Sequence, residues 1–273
     1  MKWTTKKLRG LKSNSARKKL SMLTCYDFQT AQALNQSDID LILVGDSLGN
    51  VVLGYETTCQ VSIEEMITFG AAVKRGAPDK FTTIDMPFGT YSNEEIALKN
   101  AIPLFQKTGA EALKLEGGNH KILQSIEALV ATGIPVVGHI GLTPQFFHQQ
   151  GGYFTHGKTQ EEKNLLVDQA KKIEQAGASL IVLECVTGEL AKIITDELSI
   201  PTIGIGSSSH TDGQVLVIND LLGNGPKAPP NFCRPVKNLF NEKLNAIELF
   251  INEINLQVPN NHNGKSEYEN IYS

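Results

Sequence analysis

Apolar residues in this chain are gathered into short, β-branched runs, each followed by a longer stretch of helical period or a turn-rich loop. The runs predict strands over 20–25 (LSMLTC), 39–44 (IDLILV), 80–85 (KFTTID), 111–115 (EALKL), 134–138 (IPVVG), 179–184 (SLIVLE), 200–205 (IPTIGI) and 214–218 (QVLVI). Between them, Ser62 with Glu65, Ser92 with Glu95 and Thr159 with Glu162 have the spacing of capping boxes, in which a hydroxyl and a carboxylate satisfy orphan backbone donors. Over 160–177, Leu166, Ala170 and Ile173 fall on one helical face, and Gly177 offers a left-handed stop. Buried strands alternating with amphipathic helices imply parallel pairing through helical crossovers, and eight such units close most economically into an α/β fold of the (β/α)8 TIM-barrel type. An open doubly wound sheet is the alternative, but no Gly-x-Gly-x-x-Gly follows the first strand. The expected organisation is one barrel domain over 1–256, with an N-terminal helix, a last helix at about 239–255 and a polar tail over 257–273.

A parallel barrel brings the carboxyl ends of all its strands to one rim, so residues distant in sequence meet there. At or just past those ends stand Tyr26, Asp27, Asp46, Ser47, Asp85, Lys114, Glu116, His139, Glu184, Gly206 and Asp220. An acid after a strand often only caps the next helix. That reading suits Asp27 and Asp220. It does not suit Asp85, which precedes Met86-Pro87 while Ser92 is available as the cap, nor Glu184, after which Thr187 is the better cap. His139 fits a structural role as well as a proton carrier. Asp46, Asp85 and Glu116 offer hard oxygen ligands, which suit magnesium better than zinc. Lys114 and Glu116, two apart on one strand, share a face. An ammonium beside carboxylates and a cation implies an anionic substrate. Glu184, outside the metal set, is then free to act as general base next to a carbonyl.

Composition narrows the setting. With 273 residues, 41% apolar, the chain can bury one large core, and a net charge of −4 argues against general nucleic-acid or membrane-surface binding. Cys25, Cys59, Cys185 and Cys233 are scattered without CxxC spacing, so they read, like the single Trp3, as packing residues in a reduced, cytoplasmic protein. No apolar run is long enough to span a bilayer. The first nineteen residues carry eight Lys or Arg and no acid, which fits an amphipathic N-terminal helix and, less well, an organelle transit peptide.

The strings LVGDSLG, AAVKRGAP, IDMPFGTY, KLEGG, GHIGLTPQ, LIVLECV, IPTIGIG and TDGQVLV, in this order over about residues 3–255, resemble the ketopantoate hydroxymethyltransferase family. The resemblance implies a TIM barrel that uses Mg2+ and 5,10-methylenetetrahydrofolate to hydroxymethylate 3-methyl-2-oxobutanoate, giving ketopantoate, the first committed step of pantothenate synthesis. It implies Asp46, Asp85 and Glu116 as metal residues, and Asp46, Ser47, Asp85 and Lys114 around the keto acid. Glu184 matches the proton acceptor, and a homo-oligomer, specifically a homodecamer, is implied. Two departures stand out. Ser207-Ser208 follow Gly206 where the family reads Ala-Gly, so strain at Ser208 and an altered folate-side loop are expected if that position needs positive φ. Cys59-Gln60 replaces a usual Leu-Pro, and the proline-rich segment 223–235 has no clear expected conformation. The rival enzyme type is a magnesium barrel of the phosphoenolpyruvate mutase and isocitrate lyase kind, whose Lys-Lys-Cys-Gly-His loop is missing here. A catalytically silent barrel would have no need of Asp46, Asp85, Lys114 and Glu184 together.

Overall fold

A computed structural model describes residues 2–13 and 19–255. Eight strands, β1 (Leu20–Thr24), β2 (Leu41–Val44), β3 (Phe81–Asp85), β4 (Ala112–Glu116), β5 (Val136–Gly141), β6 (Leu180–Glu184), β7 (Thr202–Ile205) and β8 (Gly213–Leu216), close into a barrel in sequence order. Every pairing is parallel. All eight expected strands are present, with ends moved by up to three residues. The largest shift is at β5, which runs on to Gly141 because β4 and β6 flank it and pair with it to their own ends, Glu116 with His139 and Glu184 with Gly141.

Side chains alternate across each strand, and in β2 to β5 both faces are fully buried. The outward residues Ile42, Val44, Ile84, Leu113, Leu115, Ile181 and Leu183 meet helix residues such as Met66, Val73, Leu104, Ile126, Ile173 and Leu190 in one core. The inward residues Leu41, Leu43, Phe81, Ala112, Val137, Leu180, Val182 and Ile203 fill the barrel. Leu8 and Leu11, from the N-terminal segment with its short helix Thr5–Arg9, join that inner core, and Trp3 packs against it while its indole N–H donates to Asp40 at 3.1 Å. The four cysteines are free.

The helix signals hold in two places and fail in part at two others. Ser62 and Glu65 make the full box on the helix Ile63–Gly76, and Gly177, at φ 99°, follows the helix Gln160–Gln175. The helix Glu94–Thr108 is capped not by Ser92 but by Asn93, whose side chain accepts from the Ile96 N–H at 2.9 Å. Asn93 is as good a cap as serine, and the shift leaves Glu95 out of step for the reciprocal bond. Thr159 does cap its helix, but the Glu162 carboxylate turns to the N–H groups of Gly157 and Lys158 and to His156. The last helix spans Leu239–Asn255, and the expected tail over 257–273 lies outside the described residues. Among the described residues no helix is long and apolar enough to cross a membrane.

Candidate active site

The inward faces of four strands change character as they approach the carboxyl rim. β3 reads Phe81, Thr83, Asp85; β4 reads Ala112, Lys114, Glu116; β5 reads Val137, His139, Gly141; β6 reads Leu180, Val182, Glu184. The parity that packs an apolar plug lower in the barrel therefore turns the polar side chains into the same interior at its mouth. Asp46 and Ser47 arrive from the loop after β2. Register makes Asp85 the lateral neighbour of Lys114, and Glu116 that of His139.

Asp46, Ser47, Asp85, Lys114, Glu116, His139 and Glu184 line one cavity of 160 Å3. That is below the roughly 300–1,000 Å3 of pockets for drug-sized ligands and suits a small acid. A depression of 500 Å3 beside Lys2, Trp3 and Asp40 lies at the opposite end of the barrel, where strands begin, and its charged residues, among them Lys7, Asp38, Asp79 and Lys80, are exposed or half-buried. Asp27 and Asp220 stay outside the mouth. Asp27 caps the helix Phe28–Gln36, and Asp220 lies in the short helix Ile218–Leu221.

Lys114 is the positive centre. Its Nζ lies 3.2 Å from Asp85 Oδ2, 3.5 Å from Glu116 Oε1 and 3.1 Å from His139 Nδ1. His139 is 3.3 Å from Glu116 through Nδ1 and 3.2 Å from Glu184 Oε2 through Nε2, the latter without hydrogen-bond alignment. Burial alone would discharge Lys114, but Asp85, Glu116 and Asp46 outweigh it and raise its pKa. Burial and then Lys114 also oppose the charge on His139, yet Glu116 and Glu184 raise its pKa to about 9. Burial pushes Asp46 well up, reinforced by Asp85 and Glu116, and pushes Asp85 up against the pull of Lys114. Glu116 is the exception: its burial is overcome by Lys114 and His139, and its pKa falls.

This donor set fits a hard divalent cation. Asp85 Oδ1 is a buried oxygen with no hydrogen-bond partner, beside a second carboxylate, Asp46, whose pKa burial and negative neighbours push up. Among the described residues no three His, Cys, Asp or Glu side chains form a ready cage. Magnesium, usually held by one or two carboxylates with water and substrate oxygens, does not call for one. Glu116 has Oε2 taken by the Gln145 N–H at 3.1 Å and Oε1 near Lys114 and His139.

Several residues of the mouth carried no sequence signal. Tyr26 is marked only by its place just past β1; its hydroxyl lies 2.8 Å from Ser47 Oγ. Tyr91 sits in a turn and Gln145 in the short 3-10 helix Pro144–Phe146, and nothing in period or spacing singles them out beyond their place in IDMPFGTY and GHIGLTPQ. Tyr153 lines the cavity from the segment after β5. The expected strain at Ser208 does not occur. Gly206 takes φ 57°, and among the described residues Cys185, directly after Glu184, is the non-glycine residue with positive φ, at 49°. Phe232, from the proline-rich segment, packs over Gly206, so a Cβ there would come within 2.8 Å of its ring. Gln60 completes a capping box with Thr57, and Cys59 Sγ donates to the Gln145 carbonyl at 3.3 Å.

Gly141 is the tightest point of this wall. At φ 94°, an added Cβ would lie 2.2 Å from the Glu184 carbonyl oxygen, a backbone atom that cannot rotate away. Gly141→Ala is therefore expected to cost about 3 kcal/mol or more, combining strain and backbone clash. A urea titration would show it as a lowered midpoint; an unchanged midpoint would contradict the close approach.

A parallel (β/α)8 barrel with an acid–base cluster at its carboxyl mouth defines a class of enzyme. The shape is shared with 2,3-dimethylmalate lyase, a member of the phosphoenolpyruvate mutase and isocitrate lyase superfamily, at TM-score 0.62 and 13% identity over 93% of this chain and 86% of that one. It is shared also with phosphonopyruvate hydrolase, at TM-score 0.59 and 12% identity over 90% of this chain and 99% of that one. At such identity the likeness is one of fold. Sequence is more specific. The profile of the ketopantoate hydroxymethyltransferase family matches residues 2–260. The protein named 3-methyl-2-oxobutanoate hydroxymethyltransferase from Thermotoga maritima is 49% identical over 245 residues, covering 89% of this chain and 90% of its own. That of Bacillus subtilis is 45% identical over 249 residues, covering 91% and 90%. The chain belongs to the ketopantoate hydroxymethyltransferase family and is an enzyme of the transferase class.

Proposed function

We propose that this protein transfers a hydroxymethyl group from 5,10-methylenetetrahydrofolate to 3-methyl-2-oxobutanoate, giving ketopantoate for pantothenate synthesis, with Mg2+ at the barrel mouth. The observation that carries the reading is the convergence, in a family member, of Asp46, Asp85, Lys114, Glu116 and Glu184 on one small cavity. Asp46 and Asp85 would hold the cation, with Glu116 next to it. When bound, Mg2+ supplies polarisation of the substrate's keto oxygen. The Lys114 ammonium and the Ser47 hydroxyl neutralise and orient the substrate carboxylate. Glu184 takes the proton from C3, and the buried walls of the mouth keep bulk water from the carbanionic centre. C3 then bonds to the folate-borne methylene carbon; the two carbon–nitrogen bonds that held this carbon break, one water supplies the new hydroxyl, and the C3 proton and the second proton of that water end on the two nitrogens as tetrahydrofolate leaves. A homodecamer is part of the proposal. In its support, the helix Leu239–Asn255 exposes Leu244, Ile247, Leu249, Phe250, Ile251 and Ile254, a large apolar surface for a lone subunit.

The test is incubation with both substrates and Mg2+, reading ketopantoate by mass spectrometry and solvent deuterium at C3 by NMR. Neither product nor exchange would defeat the proposal. Exchange without product would point to the folate side, where Ser207-Ser208 depart from the family.

The metal assignment has a separate signature. Asp46 and Asp85 have folded-state pKa values raised above their ordinary ones, so they favour the folded state most at acid pH, and that contribution is lost as pH rises through the raised values. A cation that takes the place of the protons restores stability where the protons are gone. At a hundredfold excess over Kd it is worth about 2.7 kcal/mol. Mg2+ is expected to raise Tm by several degrees at pH 7.5 and hardly at all near pH 4.5, and Asp85→Asn to remove most of that rise. An equal rise at both pH values, or one that survives Asp85→Asn, would exclude these ligands.

A further inference from the structure

The segment after β5 carries a residue that the proposed chemistry does not use, yet it touches both ends of the acidic cluster. Gln145 is only 3% exposed. Its amide nitrogen donates to Asp46 Oδ2 at 2.7 Å and to the Met86 carbonyl at 2.9 Å. Its amide oxygen accepts from the Tyr91 hydroxyl, and its backbone N–H donates to Glu116 Oε2 at 3.1 Å. Tyr91, equally buried, in turn accepts from the Glu116 backbone N–H at 3.2 Å.

We propose that Gln145 is a positioning residue for Asp46, its amide locked in a single orientation by Tyr91. The inference rests on the reading that Asp46 and Asp85 hold a divalent cation. The hydrogen-bond inventory allows one solution. Asp46 Oδ2 and the Met86 carbonyl are both acceptors, so the NH2 group must face them. The amide oxygen then faces Tyr91, whose hydroxyl already receives the Glu116 N–H and has its own proton to give. Rotating the amide by 180° would set its oxygen against a carboxylate and a carbonyl at once and leave the tyrosine proton facing an NH2 group. In a buried site an unmade hydrogen bond is costly, more so beside a charge, so the flipped state is sparsely populated. The bond to Oδ2 fixes the rotation of the Asp46 carboxylate, and with it the position of the oxygen left for a cation. Such outer partners typically change metal affinity about 10–100-fold.

A merely structural glutamine would affect stability without reaching the metal through Tyr91, and a double-mutant cycle separates the two. Mn2+ binding, followed by the EPR signal of the free ion in the presence of 3-methyl-2-oxobutanoate, is measured for wild type, Tyr91→Phe, Gln145→Met and the double variant. Tyr91→Phe keeps the ring and removes only the hydroxyl, so it is the variant least prone to misfold. Each single variant is expected to weaken Mn2+ binding about 10–100-fold. The double variant should match Gln145→Met to within about threefold, because Tyr91 acts through the amide. Saturating Mg2+ should return C3 exchange by Tyr91→Phe to near the wild-type rate, an effect on metal requirement and not on turnover. Unchanged Mn2+ binding by Tyr91→Phe, or losses that multiply in the double variant, would overturn the inference while leaving the cation site standing. Wild-type protein that binds no Mn2+ would overturn both.

Discussion

Glu184→Gln is expected to lower C3 proton exchange and ketopantoate formation by about 100- to 10,000-fold, the range by which a positioned general base contributes. The substitution keeps the size and planarity of the side chain and removes its basicity. Glu184 lines the mouth with its side chain 16% exposed, at the end of β6 and across from the Asp46–Asp85 pair. Its nearest charged partner is the His139 ring at 3.2 Å, not a member of the proposed metal set. Mg2+ binding by Glu184→Gln is therefore expected to stay close to wild type, as measured by the Mg2+-induced rise in Tm. Exchange is read in D2O as loss of the methine signal of 3-methyl-2-oxobutanoate. A variant that still exchanges at the wild-type rate would move the base elsewhere, and His139 would be the first residue to try.

Lys114→Met is expected to have the largest effect on stability. Lys114 lies among Asp85, Glu116 and Asp46, with its side chain 4% exposed, and its removal strands their negative charge in the interior. Breaking a buried ion pair from one side costs about 3–5 kcal/mol, which for a chain of this size lowers Tm by of order 10 °C. The pH dependence has a definite sign. The folded-state pKa of Lys114 is raised, so its contribution is complete at neutral pH and would fade only in strong alkali. The wild-type to variant gap should instead narrow on acidification, because Asp46 and Asp85, already raised, take up protons that dispose of the stranded charge. Thermal unfolding from pH 7.5 to pH 4.5 checks this. A gap that stays constant would mean that lost packing, and not uncompensated charge, accounts for the cost.

Much of the barrel was legible because it rests on local rules. Ser62 and Glu65 announce a helix start by spacing alone, and the runs at 41–44 and 180–184 can be little other than buried strands. Where two caps compete, as with Ser92 and Asn93, the sequence cannot choose, since the loop's approach decides which residue takes the extended conformation. The acidic residues past the strand ends were identifiable for a topological reason: a parallel barrel sends all those ends to one place. Tyr91 and Gln145 were not, because their partners lie on other elements, far away in the chain. Their bonds to Glu116 and Asp46 span 25 and 99 positions of chain.

The sequence by itself determined the number and order of the strands, their parallel sense and the buried charged residues at the mouth, because hydrophobic period and cap spacing act over a few residues and strand ends follow from them. Only the tertiary structure decided which groups touch. Strands buried on both faces give no outward alternation to read, so the register that sets Asp85 beside Lys114 and Glu116 beside His139 comes from closing the barrel. The protonation of these groups follows from the same closure, since desolvation and Coulomb interaction depend on distances that exist only once β2 to β6 have met.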